Sequence, residues 1–315
     1  MRVDFHFPVQ NTDRMAMDLR SWGAAPGYQG VFLDRWCTHM GVPIEDAKKI
    51  TQAPVDEVMD LAKEVLAPYA HSSAQTRQLI DDADLDAVVV HDSLPSDLPR
   101  TADEFLASLH GIDERIIPFP RLRLESPAAD AEQLRRLVTE KGCRGATMTP
   151  FWSHRSTDSE ELLPIFEEAD SLGCVLWIHT SSHWRLDIPL TLEHPLMIDR
   201  LATRFPNVRL VMGHGGYPWM TDAVAVAARH PNVYIDISAF RPRNIFRAGS
   251  GWEQFVYYAA HGLGSKIVLG TTWSMLGMTP QAVLDEAAQA PLPTKVIDGW
   301  LGNNAALLLK LEPAR

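Results

Sequence analysis

Three histidines in this 315-residue chain stand where an imidazole could work on a bound molecule: His6, His179 and His214. Each lies at the end of a short, strongly apolar run, in V-D-F-H-F, C-V-L-W-I-H and V-R-L-V-M-G-H. One histidine at such a place is common. Three brought together beside a carboxylate would suit a divalent metal such as zinc or manganese, or proton transfer to a substrate. Asp4 precedes His6 by two residues, so a regular strand would point both toward one side. Aromatic and cationic residues follow other apolar runs: Trp152, Trp184, Tyr217, Arg241, Arg243 and Trp273. Tryptophans in such loops favour an apolar or aromatic ligand, and arginines there can hold a carboxylate in a bidentate fork.

Eight apolar runs of strand length would position these residues: 3–7, 86–91, 115–122, 145–149, 174–179, 208–214, 233–238 and 266–271. They are β-branched and hydrophobic almost throughout, as in strands buried on both faces. Helical periods separate them, at 129–139, 160–171, 196–205, 219–229, 254–261, 280–290 and 294–311, the second preceded by a Ser-Thr-Asp cluster suited to capping. Alternating strands and helices predict a parallel sheet, and the number eight predicts closure into one (β/α)₈ TIM barrel over 1–315. An open doubly wound sheet is the alternative, weakened by the lack of a G-x-G-x-x-G after the first strand. In a barrel the strand C-termini face the site, so His6, Asp4, His179 and His214 are expected at one mouth. His91 ends the second run and would join them, but Asp92 and the serine-containing stretch at 93–96 suit a turn equally. Residues 9–73 are too long for a usual crossover. They read as an insertion, either a lid over the mouth or an outer packing layer, with a helix over 55–66.

Composition sets the outer limits. The chain is 46% hydrophobic and 22% charged, with a net charge of −11. That is ordinary globular composition, and an acidic surface without a basic run argues against nucleic acid and anionic membrane as partners. No apolar window of membrane-spanning length and no signal sequence is evident, so a cytoplasmic location is expected. Three scattered cysteines, Cys37, Cys143 and Cys174, form no C-x-x-C pair and read as buried thiols.

Several stretches resemble the amidohydrolase superfamily: V-D-F-H-F-P (3–8), W-I-H-T (177–180), M-G-H-G-G-Y-P-W (212–219), N-V-Y-I-D-I-S (232–238), G-T-T-W-S (270–274) and G-N-N-A (302–305). The similarity is to the branch containing aminocarboxymuconate-semialdehyde decarboxylase and the dihydroxybenzoate decarboxylases, and it runs the length of the chain in order. The resemblance implies a mononuclear metal held by a D-x-H-x-H or E-x-H motif, by a histidine ending the fifth strand and by an aspartate ending the eighth. It makes His6 and His179 metal ligands and His214 the acid/base. Two positions depart. Pro8 stands where D-x-H-x-H has its second histidine; alternatively Asp4 and His6 replace E-x-H. Thr272 stands at the catalytic aspartate of the eighth strand, and a neutral hydroxyl is a poor zinc ligand and has no useful pKa near 7. A zinc or manganese ion is therefore the implied cofactor, bound weakly if at all.

These readings converge on an enzyme for a small aromatic or unsaturated carboxylic acid, amide or lactone. Its reaction would be hydrolysis or non-oxidative decarboxylation, with His214 as the acid/base and Asp4 and Thr272 as the further candidate catalytic positions. Hydrolysis ranks first, because Thr272 removes the acid that decarboxylation needs. The second reading is an inactive barrel serving as a ligand-binding or partner subunit. A homodimer is implied by the resemblance alone.

Overall fold

Runs that are apolar on both faces can be buried only where helices cover one face and other strands' side chains the other, and that is where they lie. The computed structural model describes residues 1–93, 98 and 100–312. Its strands are β1 (Val3–Asp4), β2 (Ala87–His91), β3 (Ile116–Phe119), β4 (Gly145–Met148), β5 (Val175–His179), β6 (Arg209–Gly213), β7 (Val233–Asp236) and β8 (Ile267–Val268). All pairings are parallel, in two ladders ordered β1-β2-β3 and β4-β5-β6-β7-β8.

Backbone bonds join the ladders at both seams. Leu122 N–H donates to Thr147 C=O at 3.0 Å and Thr147 N–H to Pro120 C=O at 2.9 Å. Across the other seam Phe5 N–H donates to Leu269 C=O at 2.9 Å and Thr272 N–H to His6 C=O at 3.0 Å. The eight strands thus run round a TIM barrel. Val3, Phe5, Val89, Phe119, Val175, Trp177, Val211 and Val268 fill its interior, and Ala305, Ala306, Leu308 and Leu309 of the helix Asn304–Leu309 close the floor. A larger cluster packs strands against the surrounding helices.

The helices fall close to the sequence periods, at Pro127–Thr139, Leu163–Leu172, Leu196–Arg204, Met220–Arg229, Glu253–Tyr258 and Pro280–Ala288. The final period breaks into Thr294–Asp298 and Asn304–Leu309, because Gly302 takes φ 154 between them. The Ser-Thr-Asp cluster caps nothing. Ser156 Oγ donates to Asp158, Asp158 pairs with Arg200, and the turn opening at Glu160 has no side-chain cap. Residues 9–73 carry the helices Thr12–Ala24, Asp34–Met40, Ile44–Gln52 and Val58–Leu66. They bury Met15, Met17, Leu19, Trp22 and Trp36 in the outer cluster. The turn expected beyond Asp92 falls largely on 94–97, outside the described residues. Among the described residues no helix is long and apolar enough to cross a membrane, and Cys37, Cys143 and Cys174 are buried thiols.

Asp4 corrects the sequence reading. Val3 and Phe5 both pack in the inner cluster, so alternation turns Asp4, between them, to the opposite face. Its carboxylate accepts from the backbone N–H of His6 and of Thr271, each at 2.9 Å, and from the Thr271 hydroxyl. Burial pushes its pKa up to about 6, against those three donors. Regular pairing of β1 stops at Asp4 and resumes where Phe7 N–H donates to Val89 C=O at 2.8 Å, and His6 in the interruption lies among the other imidazoles. Asp4 is thus a clamp between the first and last strands, away from any substrate. Asp4→Ala strands those donors in a dry site and is expected to cost about 2–4 kcal/mol in urea unfolding. A loss under 0.5 kcal/mol would contradict the clamp.

Candidate active site

The C-terminal ends of the strands carry a cluster of four imidazoles. His6 stacks on His91 with ring centroids 4.3 Å apart, and lies 5.7 Å from His214. His214 lies 5.1 Å from His179. The Trp177 indole stands edge-on beneath His6 and His214, at 5.3 and 5.2 Å. Two glycines make this crowding fit. A Cβ at Gly213 would sit 2.4 Å from the Trp177 ring, and one at Gly270 would sit 2.3 Å from His6 Cβ. The sequence thus places the histidines where the strands end and removes bulk beside them.

Each ring's partners define its protons. Ser238 Oγ donates to Asp236 Oδ2 at 2.5 Å. Asp236 also accepts from Trp177 Nε1–H at 2.8 Å and from Ser238 N–H at 3.0 Å, so all three neighbours are donors and the carboxylate is acceptor only. Burial raises its pKa, while those donors and the His214 ring oppose the rise. With its own proton committed to Asp236, Ser238 Oγ accepts from His214 Nδ1–H at 2.8 Å. This leaves His214 Nε2 as a bare lone pair. Burial lowers the His214 pKa to about 3, helped by the neighbouring His179.

His179 has the opposite arrangement. Its Nδ1 contacts Glu193 Oε2, and Glu193 Oε1 accepts from Phe151 N–H at 3.3 Å. Both partners are buried. Burial raises the Glu193 pKa well above its ordinary value and lowers that of His179 to about 3. A dry carboxyl–imidazole pair is cheapest when it carries no net charge. A pair without net charge keeps a proton on Nε2 whether the shared proton rests on Glu193 or on Nδ1. Nε2 lies 3.3 Å from Ser181 Oγ and faces the cavity. Two neighbouring histidines thus differ in kind: His214 presents a base and His179 a donor.

His91 is consumed by structure. Its Nε2–H donates to Phe5 C=O at 2.8 Å and its Nδ1 meets Thr147 Oγ1 at 2.9 Å. It is buried and neutral below His6, its pKa held well down by burial and by His6. His6 Nδ1 lies 3.5 Å from Ser238 Oγ and 3.6 Å from Asp236 Oδ2.

A cavity of about 620 Å³ opens above these rings. Trp152, Trp184, Tyr217 and Arg241 line it. Trp184 stacks on Tyr28 at 5.8 Å, so the 9–73 segment meets the loop after β5 over the mouth. Arg241 is already paired with Glu286 at 2.5 Å. Trp273 does not face the cavity: it is 1% exposed, donates Nε1–H to Pro8 C=O at 3.1 Å and stacks on His71. Thr272 is no acid or base. It is buried, takes φ 40, and its Oγ1 accepts from Ala239 N–H at 2.8 Å. It locks the loop after β8 to the loop after β7.

Glu193, Ser238, Asp236 and Arg14 were not singled out from sequence. The i, i+2 spacing of Asp236 and Ser238 beside a strand-end histidine was the available signal for that pair. Glu193 sits on a short turn, Leu190–Glu193, with no periodic context.

The donor set does not fit the implied metal. Pro8 has no ligand atom, Asp4 faces Thr271, and Thr272 is bonded to backbone. Among the described residues no three His, Cys, Asp or Glu side chains converge as a metal cage.

Comparison with known proteins agrees with this architecture. The Amidohydrolase family profile matches residues 3–311. The chain is 23% identical to 2-amino-3-carboxymuconate-6-semialdehyde decarboxylase of Dictyostelium discoideum, over 64% of this chain and 62% of that relative's length. An uncharacterized TIM-barrel protein from Bordetella bronchiseptica superposes with TM-score 0.72 at 17% identity, covering 98% of both chains. A dihydroxybenzoic acid decarboxylase from Polaromonas sp. JS666, with bound manganese and the inhibitor 2-nitroresorcinol, superposes with TM-score 0.62 at 15% identity, covering 99% of this chain and 97% of that one. The chain therefore belongs to the amidohydrolase family.

A base works only when unprotonated. A His214 pKa of about 3 keeps Nε2 bare at any pH well above that value. The acid limb of kcat/KM is accordingly expected to stay level from about pH 8 down to about pH 5, below the ordinary imidazole range. A drop centred near 6.5 would show that His214 titrates as an exposed imidazole.

Proposed function

We propose that this enzyme decarboxylates a small aromatic or unsaturated carboxylic acid by proton transfer between its own side chains. One observation carries the reading: a donor, His179 Nε2–H backed by Glu193, stands beside a bare base, His214 Nε2, with ring centroids 5.1 Å apart. Environments that push two neighbouring groups to opposite roles mark the acid and the base of a site. From sequence, Thr272 had left decarboxylation without an acid. Glu193 behind His179 supplies one, which reverses the order of the two reactions.

For a hydroxyaryl or enolic acid the steps balance as follows. His214 Nε2 takes the hydroxyl proton adjacent to the carboxyl-bearing carbon, and the resulting electron density loads that carbon. His179 Nε2–H protonates it. The carbon–carboxylate bond then breaks, its electron pair restores the ring or double bond, and carbon dioxide leaves. His214 returns its proton to the oxygen, and solvent reprotonates the His179–Glu193 pair. Ser238 and Asp236 hold the imidazolium formed on His214, as an orienting carboxylate does behind any catalytic histidine. The aromatic walls and, among the described residues, five arginines against a single carboxylate in the cavity lining, Arg14, Arg35, Arg241, Arg243 and Arg247 against Asp18, suit an acid substrate.

Manganese in the Polaromonas structure shows what the branch can bind. In this chain the described donors do not assemble that site, and no step above uses a metal. The same His214 lone pair could activate water for hydrolysis of a lactone or amide, so the assay must read the product. Incubation with hydroxybenzoates in deuterium oxide is expected to release carbon dioxide and place deuterium at the vacated ring carbon, with turnover unchanged after dialysis against a chelator. Ester or lactone cleavage without carbon dioxide would shift the assignment to hydrolysis, and chelator-sensitive turnover would restore the metal.

Variants separate the two roles. His214→Ala is expected to lower kcat by on the order of 10²–10⁴, the usual contribution of a positioned base. Glu193→Gln should lower kcat about as far while leaving KM within roughly twofold, since Glu193 acts through His179 and not on the substrate. Full activity in either variant would remove that residue from the mechanism.

A further inference from the structure

The Nε2 proton of His179 already has a receiver before any substrate arrives. Ser181 Oγ lies 3.3 Å from that nitrogen. Of the hydroxyls lining the cavity among the described residues, it alone bonds to an imidazole. The bond is long, as catalytic hydrogen bonds commonly are before a substrate closes the site. Both chain neighbours of Ser181 are tied down. Thr180 Oγ1 donates to Gly213 C=O at 3.1 Å, and Ser182 N–H donates to Tyr217 C=O at 2.7 Å. Ser181 therefore sits on backbone anchored to the end of β6 and the turn after it, and it is 6% exposed. A side chain with one heavy-atom torsion has few places to go from such a backbone.

The hydroxyl's two roles then separate. A serine oxygen can accept one hydrogen bond while donating another. With a proton on Nε2, Oγ accepts from His179, so its own hydrogen leaves in another direction. Among the described residues no other group bonds to Oγ, and the cavity is what remains. An N–H gives up its proton along its own bond, and here that line ends on Ser181. We infer that Ser181 is a further catalytic residue, the group that hands the proton to the substrate carbon while His179 refills it. This rests on the acid–base reading of the site above. The Ser181 O–H bond breaks as the C–H bond forms, and the His179 Nε2–H bond breaks as a new O–H bond forms on Ser181. The serine ends as it began, and the His179–Glu193 pair is one proton short until solvent restores it. A hydroxyl alone is too weak an acid to protonate carbon, and the coupled transfer avoids an alkoxide.

Single-turnover decarboxylation of 2,6-dihydroxybenzoate in mixtures of water and deuterium oxide tests the relay. Two protons moving together make the rate fall along a bowed curve as deuterium rises, and one proton gives a straight line. The wild type is expected to give the bow. Ser181→Ala should lower the rate about 10²-fold or more and straighten the curve, with half-saturation within about twofold. A straight wild-type curve, flat or sloped, overturns the relay, and it decides the matter if the variant does not fold. Ser181→Ala within about threefold of the wild-type rate overturns it too. A slow Ser181→Ala that keeps the bow makes Ser181 a support for the His179 ring only, and the relay falls. Each of these results leaves the wild type's release of carbon dioxide in place. If the wild type releases none from this or other hydroxybenzoates, the decarboxylase reading falls, and the relay with it.

Discussion

An imidazole without water must find a partner for each ring nitrogen or expose it to a ligand, and four of them crowd one end of this barrel. Unpaired buried polar groups cost enough to unfold a domain if several are left unmet. The chain meets the cost by wiring the rings to fixed neighbours. Asp236 and Ser238 hold His214 by Nδ1, Glu193 holds His179 by Nδ1, and Phe5 C=O with Thr147 holds His91 by both nitrogens. The tautomers follow from that wiring, and the chemistry follows from the tautomers. His214 and His179 each keep Nε2 toward the cavity, one without a proton and one with it.

The same constraint explains the departures from the family pattern. An aspartate at position 272 would add a second buried carboxylate close to Asp236. Here that position is Thr272, turned to a backbone N–H, where it ties two loops. Asp4 likewise serves the seam between β1 and β8. The first and last strands are the shortest, at two residues each, so the barrel depends there on side-chain bonds that longer ladders would make unnecessary.

Much of this was legible in the sequence. The eight strands showed because burial on both faces demands unbroken apolar runs, and His6, His179 and His214 showed because they end three of them. Asp4 was misread because alternation assumes a regular strand, and β1 breaks immediately after it. Trp273 was assigned to the pocket from its position after β8, yet a four-residue helix, Trp273–Leu276, turns its ring onto Pro8 and His71. Glu193 and Arg14 carry no local signal at all. One lies on an isolated turn and the other within a helix of the 9–73 segment, and only the folded chain brings either to the histidines.

The central claim concerns two protons, so it is best tested by observing them. Nitrogen-15 NMR of the histidine side chains at neutral pH separates a protonated ring nitrogen from a bare one. The account requires His214 to be neutral with its proton on Nδ1, and His179 to carry one on Nε2. A His214 proton on Nε2, or a His179 ring bare at Nε2, would contradict it.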